Sequence, residues 1–214
     1  MPRPIVIVHH LIWTAYGWWL PNDPRGSTSR TIANDVIAEL GELHFGRRAI
    51  QPTYQAIHAF YDRAKDVLKY PLLEFGPQEV EAIARAFSLA IQQQRFTCYA
   101  CAIMPDHGHL LIRKHKHQAE EMIIALQDAA RSQLRATGLR DTDHPTWATG
   151  GWKGFLDHPE AVRRTIRYIE ENPLKRRLPG QKWTFVKTYD GWPFHPGHSP
   201  NSPYVRRLHE GREG

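Results

Sequence analysis

Between residues 77 and 137 the hydrophobic period changes from helical to alternating and back, and this stretch constrains the fold more than any other. "PQEVEAIARAFSLAIQQQ" (77–94) carries Val80, Ile83, Ala84, Phe87 and Ile91 on one stripe behind a first-turn proline, the pattern of an amphipathic helix. "RFTCYACAIM" (95–104) and "HLLIRKH" (109–115) read as strands, and "PDHG" between them reads as the turn of a hairpin. "QAEEMIIALQDAARSQLRAT" (118–137) returns to the helical period and stops at Gly138. A lone hairpin is marginal in water and needs further strands or a helical cover. "PIVIVHHLIWTAY" (4–16) supplies a strand before this unit, and "TWATGGWKGFL" (146–156) a short one after it. The order βαββαβ gives an α+β fold: a ferredoxin-like antiparallel sheet with helices on one face, plus an extra C-terminal helix at 157–172. Asp157 and Glu160 form a capping-box pattern for that helix, and Pro173 ends the run.

The remaining segments are less ordered in pattern. "WWLPNDPRGSTS" (18–29) is turn chemistry, and 21–75 reads as an insertion with weaker helical patterns near 31–40 and 53–68. The expected organisation is one domain over 1–177 containing that insertion, followed by a Pro- and Gly-rich tail at 178–214. No apolar run reaches the roughly 18 residues of a membrane span. Two cysteines make no disulfide framework, which fits a cytoplasmic protein. A formal charge of +6, with thirteen histidines counted neutral, favours phosphate contacts and a nucleic-acid partner.

Strand alternation puts His107 and His109 on one face, with Gly108 pointing the other way. Two such imidazoles are either a pair of metal ligands or two surface histidines at a hairpin. On the 157–172 helix, Val162, Ile166 and Ile169 form a core stripe, and Tyr168 and Asn172 share a face at its edge. Tyr168 alone reads equally as a boundary packing residue. Taken together, the histidines can hold a divalent ion, Asn172 can add an oxygen ligand, and Tyr168 faces whatever phosphate the ion binds. Imidazole suits Mn or Zn, and an incomplete shell completed by phosphate and water also admits Mg. Asp106 is either an orienter of a ligand histidine or a turn residue. Arg163, Arg164, Arg167, Lys175, Arg176 and Arg177 form a basic strip suited to phosphates, and Trp18 and Trp19 are candidate base-stacking platforms, as are Trp147 and Trp152.

"MPDHGHLLI", followed by "RYIEENPLK" some sixty residues later, resembles the HUH single-tyrosine transposases of insertion sequences, closest to their REP-associated branch. "TAYGWWLPNDPRGS" and "WKGFLDHPEAVRRTIRYI" resemble further segments of that family, so the likeness covers about 5–20 and 77–177. The resemblance implies His107, His109 and Asn172 as ligands of Mg²⁺ or Mn²⁺, and Tyr168 as the nucleophile that attacks single-stranded DNA beside a hairpin. It implies a 5′-phosphotyrosine intermediate, REP-like palindromes as partners, a monomer or homodimer, and a cytoplasmic, nucleoid-associated place. The family usually has a bulky apolar residue between the histidines, where this chain has Gly108. Glycine there is expected to lose core packing and to loosen the strand by roughly 0.5–1 kcal/mol. That departure favours an alternative, a non-catalytic hairpin-binding regulator descended from such an enzyme. Cys98 and Cys101 have CxxC spacing, but three residues along a strand should send the thiols to opposite faces, as buried small hydrophobes.

Overall fold

The computed structural model describes residues 5–27, 29–32, 35–141 and 143–194. Four strands, β1 (Val8–Thr14), β2 (Cys98–Ile103), β3 (His107–Arg113) and β4 (Trp152–Leu156), form one sheet in the order β2-β3-β1-β4, with every neighbouring pair antiparallel. Among the described residues five helices accompany it: α1 (Asp35–Ala38), α2 (Tyr54–Val67), α3 (Pro77–Gln94), α4 (Ala119–Ala136) and α5 (Pro159–Lys175). This is the ferredoxin-like α+β plan with an added C-terminal helix. No described helix is long and apolar enough to cross a membrane.

The helices lie on both faces of the sheet, not on one. Leu11, Trp13, Leu110 and Ile112 point into a core closed by Ile83 and Phe87 of α3 and Met122 and Leu126 of α4. Val8, Leu111, Ala100 and Ala102 point the other way, onto Val162 and Ile169 of α5. The added helix therefore seals the second face, which an apolar sheet cannot leave in water.

Local chemistry sets the helix ends. Glu79 reaches back to accept from the Gly76 N–H at 2.7 Å, and Glu121 does the same for Gln118 at 2.6 Å, each satisfying an orphan donor of a first turn. At α5 the cap is His158, whose Nδ1 accepts from the Glu160 N–H at 3.2 Å, and not the expected Asp157. Nor does Pro173 end α5. It sits buried inside the helix, which continues to Lys175. The proline forfeits its own N–H bond to the preceding turn, and its carbonyl still accepts from Arg176 at 3.0 Å and Leu178 at 2.9 Å.

The cysteines do not diverge. Between Cys98 and Ala100 the β2–β3 register shifts, Cys98 lying opposite Ile112 and Ala100 opposite Leu111. This one-residue bulge resets the alternation, so both thiols are buried in the α3–α4 core. Burial pushes the Cys98 thiol up to about 12 and raises Cys101 as well, so both are inert small hydrophobes.

The segment 18–75 is a lobe with its own core of Leu20, Leu40, Phe60, Tyr61 and Ala64. The described part of the tail lies along the edge strand β2. Gln181 exchanges two hydrogen bonds with the Ile103 backbone at 2.8 and 2.7 Å, and the Lys187 N–H donates to the Cys98 carbonyl at 2.8 Å. The open edge is thereby covered.

His9, on the α4 face of β1, is 4% exposed, and neither ring nitrogen has a hydrogen-bond partner. Burial, then the Lys114 charge, lowers its pKa to about 4, against a smaller opposing pull from Glu120. The unfolded chain takes up this proton near pH 6.5 and the folded chain does not. Stability tied to His9 is therefore complete above pH 6.5 and is lost as pH falls towards 4, by up to about 3 kcal/mol. His9→Leu is expected to add about 1–3 kcal/mol at pH 7 by removing an unsatisfied ring, and to add more at pH 5. Urea unfolding at pH 8 and pH 5 checks this, and an equal gain at both would show that His9 does not carry the pH dependence.

Candidate active site

The β1–β3 pairing builds the site. Thr14 lies opposite His107 and Ile12 opposite His109, so both histidines fall inside β3 and on the face covered by α5. Their rings are 4.7 Å apart between centroids, and they are 9% and 3% exposed. Asp106, almost fully buried, accepts at Oδ1 from His107 Nδ1 at 2.7 Å and from Arg176 Nη1 at 2.6 Å. Burial alone would raise the Asp106 pKa, but the His107 hydrogen bond, the electrostatic pull of that ring and the Arg176 charge outweigh it and leave the pKa lowered. Arg176, expected in the basic strip, is thus tied into the site and pins the end of α5 to the β2–β3 turn.

A third imidazole completes the cluster. His10 Nε2 lies 3.1 Å from His109 Nδ1, with the two rings stacked at 5.3 Å. Burial holds His10 at a pKa of about 4 and pushes His109 well below its usual range, so both rings are neutral. Sequence reasoning missed His10. In "VIVHHLIW" it reads as one of two histidines in an apolar strand, and its partner is 99 residues away.

From α5, the phenol ring of Tyr168 stands edge-on to His109 at 5.7 Å and to His10 at 6.2 Å. The residue is 45% exposed. Lys175 Nζ lies 5.4 Å from the Tyr168 ring centre. Asn172, one turn on and half-buried, donates its amide to the Tyr168 carbonyl at 3.1 Å, which leaves Oδ1 as an acceptor. Arg163, Arg164, Arg167 and Arg177 are exposed, Arg163 packing over the Tyr189 ring at 5.8 Å, and Lys175 pairs with Glu171 at 2.9 Å.

The tryptophans divide. Trp18 is not an open stacking platform. Its indole N–H donates to the Leu73 carbonyl at 2.8 Å, and its ring packs on both the main core and the lobe core. Trp147 is buried in the α3–α4 core. Trp19 is half-buried and reaches the site, edge-on to His107 at 5.5 Å. Trp152 is 44% exposed beside His10, at 5.6 Å.

The donor set fits a divalent ion. The Asp106 carboxylate can only accept, so in the neutral form of His107 the proton sits on Nδ1 and Nε2 keeps its lone pair. His109 is neutral, and Asn172 Oδ1 accepts. Among the described residues no group of three or more His, Cys, Asp or Glu side chains is arranged to hold a metal, and the candidate donors are two imidazoles on β3 and an amide oxygen on α5.

Gly108 faces the opposite core, and the expected loss of packing there does not occur. The β1 residue opposite it is Trp13, 1% exposed, whose indole fills the space. A Cβ on residue 108 would meet Trp13 Cε2 at 3.9 Å and Cζ2 at 4.0 Å. Gly108→Ala is expected to stabilise the protein by about 0.5–1 kcal/mol through the backbone term. Gly108→Val should collide with the indole and cost about 1–3 kcal/mol. Thermal melts of the two variants check this pair, and a valine variant as stable as the alanine one would mean the indole gives way.

No family model matches the chain, and no curated protein does. Solved structures similar to it include two transposases. One is a REP-associated tyrosine transposase bound to a REP hairpin, 12% identical, covering 91% of this chain and 79% of that one with a TM-score of 0.43. The other is a candidate transposase from Deinococcus radiodurans R1, 15% identical, covering 80% of this chain and 94% of that one with a TM-score of 0.36.

Proposed function

We propose that this protein is a DNA transposase that cleaves and rejoins single-stranded, hairpin-bearing DNA through a covalent link to Tyr168. The observation that carries the reading is the exposed Tyr168 phenol beside His109 and His10, on a helix whose end is bonded through Arg176 and Asp106 to His107. His107, His109 and Asn172 would hold Mg²⁺ or Mn²⁺, which supplies Lewis-acid polarisation of a non-bridging phosphate oxygen. Tyr168 forms the new bond from its phenol oxygen to phosphorus. The bond from phosphorus to the preceding 3′ oxygen breaks, and the proton lost by the phenol is matched by the one gained at that oxygen. The products are a 5′-phosphotyrosine and a free 3′ hydroxyl. Phenoxide leaves more readily than a sugar alkoxide, so a later 3′ hydroxyl can reverse the step and join a new strand. Arg164, Arg167 and Arg177 present positive charge for the backbone beside the tyrosine. Gly108 was the feature favouring a binding-only protein, and with Trp13 in its place beneath the histidines it no longer argues for one.

The test is to mix the protein with labelled hairpin oligonucleotides carrying single-stranded flanks, in Mn²⁺ or Mg²⁺. A denaturation-resistant protein–DNA band that a chelator abolishes is the expected result. Tight hairpin retention with no covalent band in either ion would make the protein a binding module.

A further inference from the structure

The two ligand histidines of the proposed reaction are oriented by different partners. For His107 the partner is Asp106, and its carboxylate leaves one possible proton position. For His109 it is His10, and an imidazole can accept or donate. If His10 Nε2 donates, the neutral His109 carries its proton on Nε2 and has no lone pair to offer there. If His109 Nδ1–H donates, Nε2 is left as a ligand.

We propose that His10 is a positioning residue that accepts the His109 Nδ1–H bond and so fixes His109 in the tautomer whose Nε2 can bind a divalent ion. This rests on the metal-dependent reading above. His10 does for His109 what Asp106 does for His107, with a neutral acceptor in place of a charged one. The surroundings hold its ring in place. Register puts His10 opposite Leu111 on β3 and opposite Gly154 on β4. A Cβ at Gly154 would come within 2.6–2.8 Å of the Trp152 ring and 3.4 Å of His10 Cβ. The bare glycine therefore lets the Trp152 indole lie across β4 and stand edge-on to His10, at an interplanar angle of 86°. His10 is held between that indole and His109, only 7% exposed. Outer partners of this kind orient ligand histidines, and losing one weakens metal binding by about 10–100-fold.

The experiment uses the full chain and two substitutions. His10→Phe keeps a ring but no nitrogen, and His10→Gln restores an acceptor. Imidazole ¹⁵N shifts of the metal-free protein report the His109 tautomer, the signal being assigned by its loss in His109→Gln. Manganese titration followed by electron paramagnetic resonance reports affinity. In the wild type, His109 is expected to carry its proton on Nδ1. His10→Phe should shift it towards Nε2–H and weaken Mn²⁺ binding by about 10–100-fold, and His10→Gln should recover most of both. A wild-type His109 protonated on Nε2 overturns the proposal. So does an unchanged tautomer or unchanged Mn²⁺ affinity in folded His10→Phe. A wild type with the expected tautomer, lost in His10→Phe, that binds no Mn²⁺ supports the orienting bond and overturns the metal reading instead.

Discussion

Tyr168→Phe abolishes the covalent protein–DNA product, a fall on the order of 10³-fold or more, while hairpin affinity stays within about twofold of the wild type. The oxygen removed is the one that would bond to phosphorus, and no nearby group replaces it. The ring that remains keeps its edge contacts with His109 and His10. Since Tyr168 is 45% exposed, the substitution should move stability by no more than about 0.5 kcal/mol. A denaturing gel, a binding titration and a melt on one preparation separate the three effects. Tyr189, Tyr99 and Tyr61 are poorly suited to stand in. Burial pushes Tyr189 and Tyr99 up to about 12, and the Tyr189 hydroxyl donates to the Trp192 carbonyl at 2.6 Å. Tyr61 is raised as well and is bound into the lobe. Tyr204 lies outside the described residues. Attachment that survives in Tyr168→Phe would sink the assignment and make Tyr204 the next residue to replace.

What could be read in the sequence was what depends on neighbours along the chain. The helix at 77–94 and the one at 118–137 follow from their own apolar stripes, and His107 and His109 share a face because strands alternate. Features set by distant partners were not legible. His10 gains its meaning from His109 across the β1–β3 ladder, and Gly108 from Trp13 in the same ladder. The bulge that turns Cys98 and Cys101 to one side is a property of the β2–β3 pairing. Arg176 looked like one more charge in a basic strip, because nothing local shows that the end of α5 meets Asp106. Asp157 carries the textual cap signal, yet the chain enters α5 one residue later and His158 takes the bond. Local patterns propose elements, and packing decides which side chains meet.

The lobe at 18–75 was the least legible part, and it bears on the site through one buried carboxylate. Asp23 is fully buried and accepts from the Arg25 backbone N–H at 2.8 Å, from Arg25 Nε at 2.9 Å and Nη2 at 2.7 Å, and from the Tyr61 hydroxyl. The Arg25 guanidinium in turn stacks on Trp19 at 3.8 Å, and the Tyr61 oxygen accepts the Trp19 N–H at 2.8 Å. These contacts hold Trp19 at a φ of 52°, a conformation that costs a bulky residue about 1–3 kcal/mol, with its ring against His107. Asp23→Ala leaves a largely buried guanidinium without its counter-charge, and the expected loss is about 3–5 kcal/mol, borne by the lobe. Hydrogen exchange should quicken across α2 and at the Trp19 amide, where the strained turn can relax, while β2 and β3 keep their protection. Asp23→Asn retains the shape and part of the bonding and should do the same more weakly. If α2 exchanges at the wild-type rate in Asp23→Ala, the carboxylate is not what holds the lobe, and Trp19 owes its place beside His107 to the hydrophobic contacts of Trp18 and Tyr61 instead.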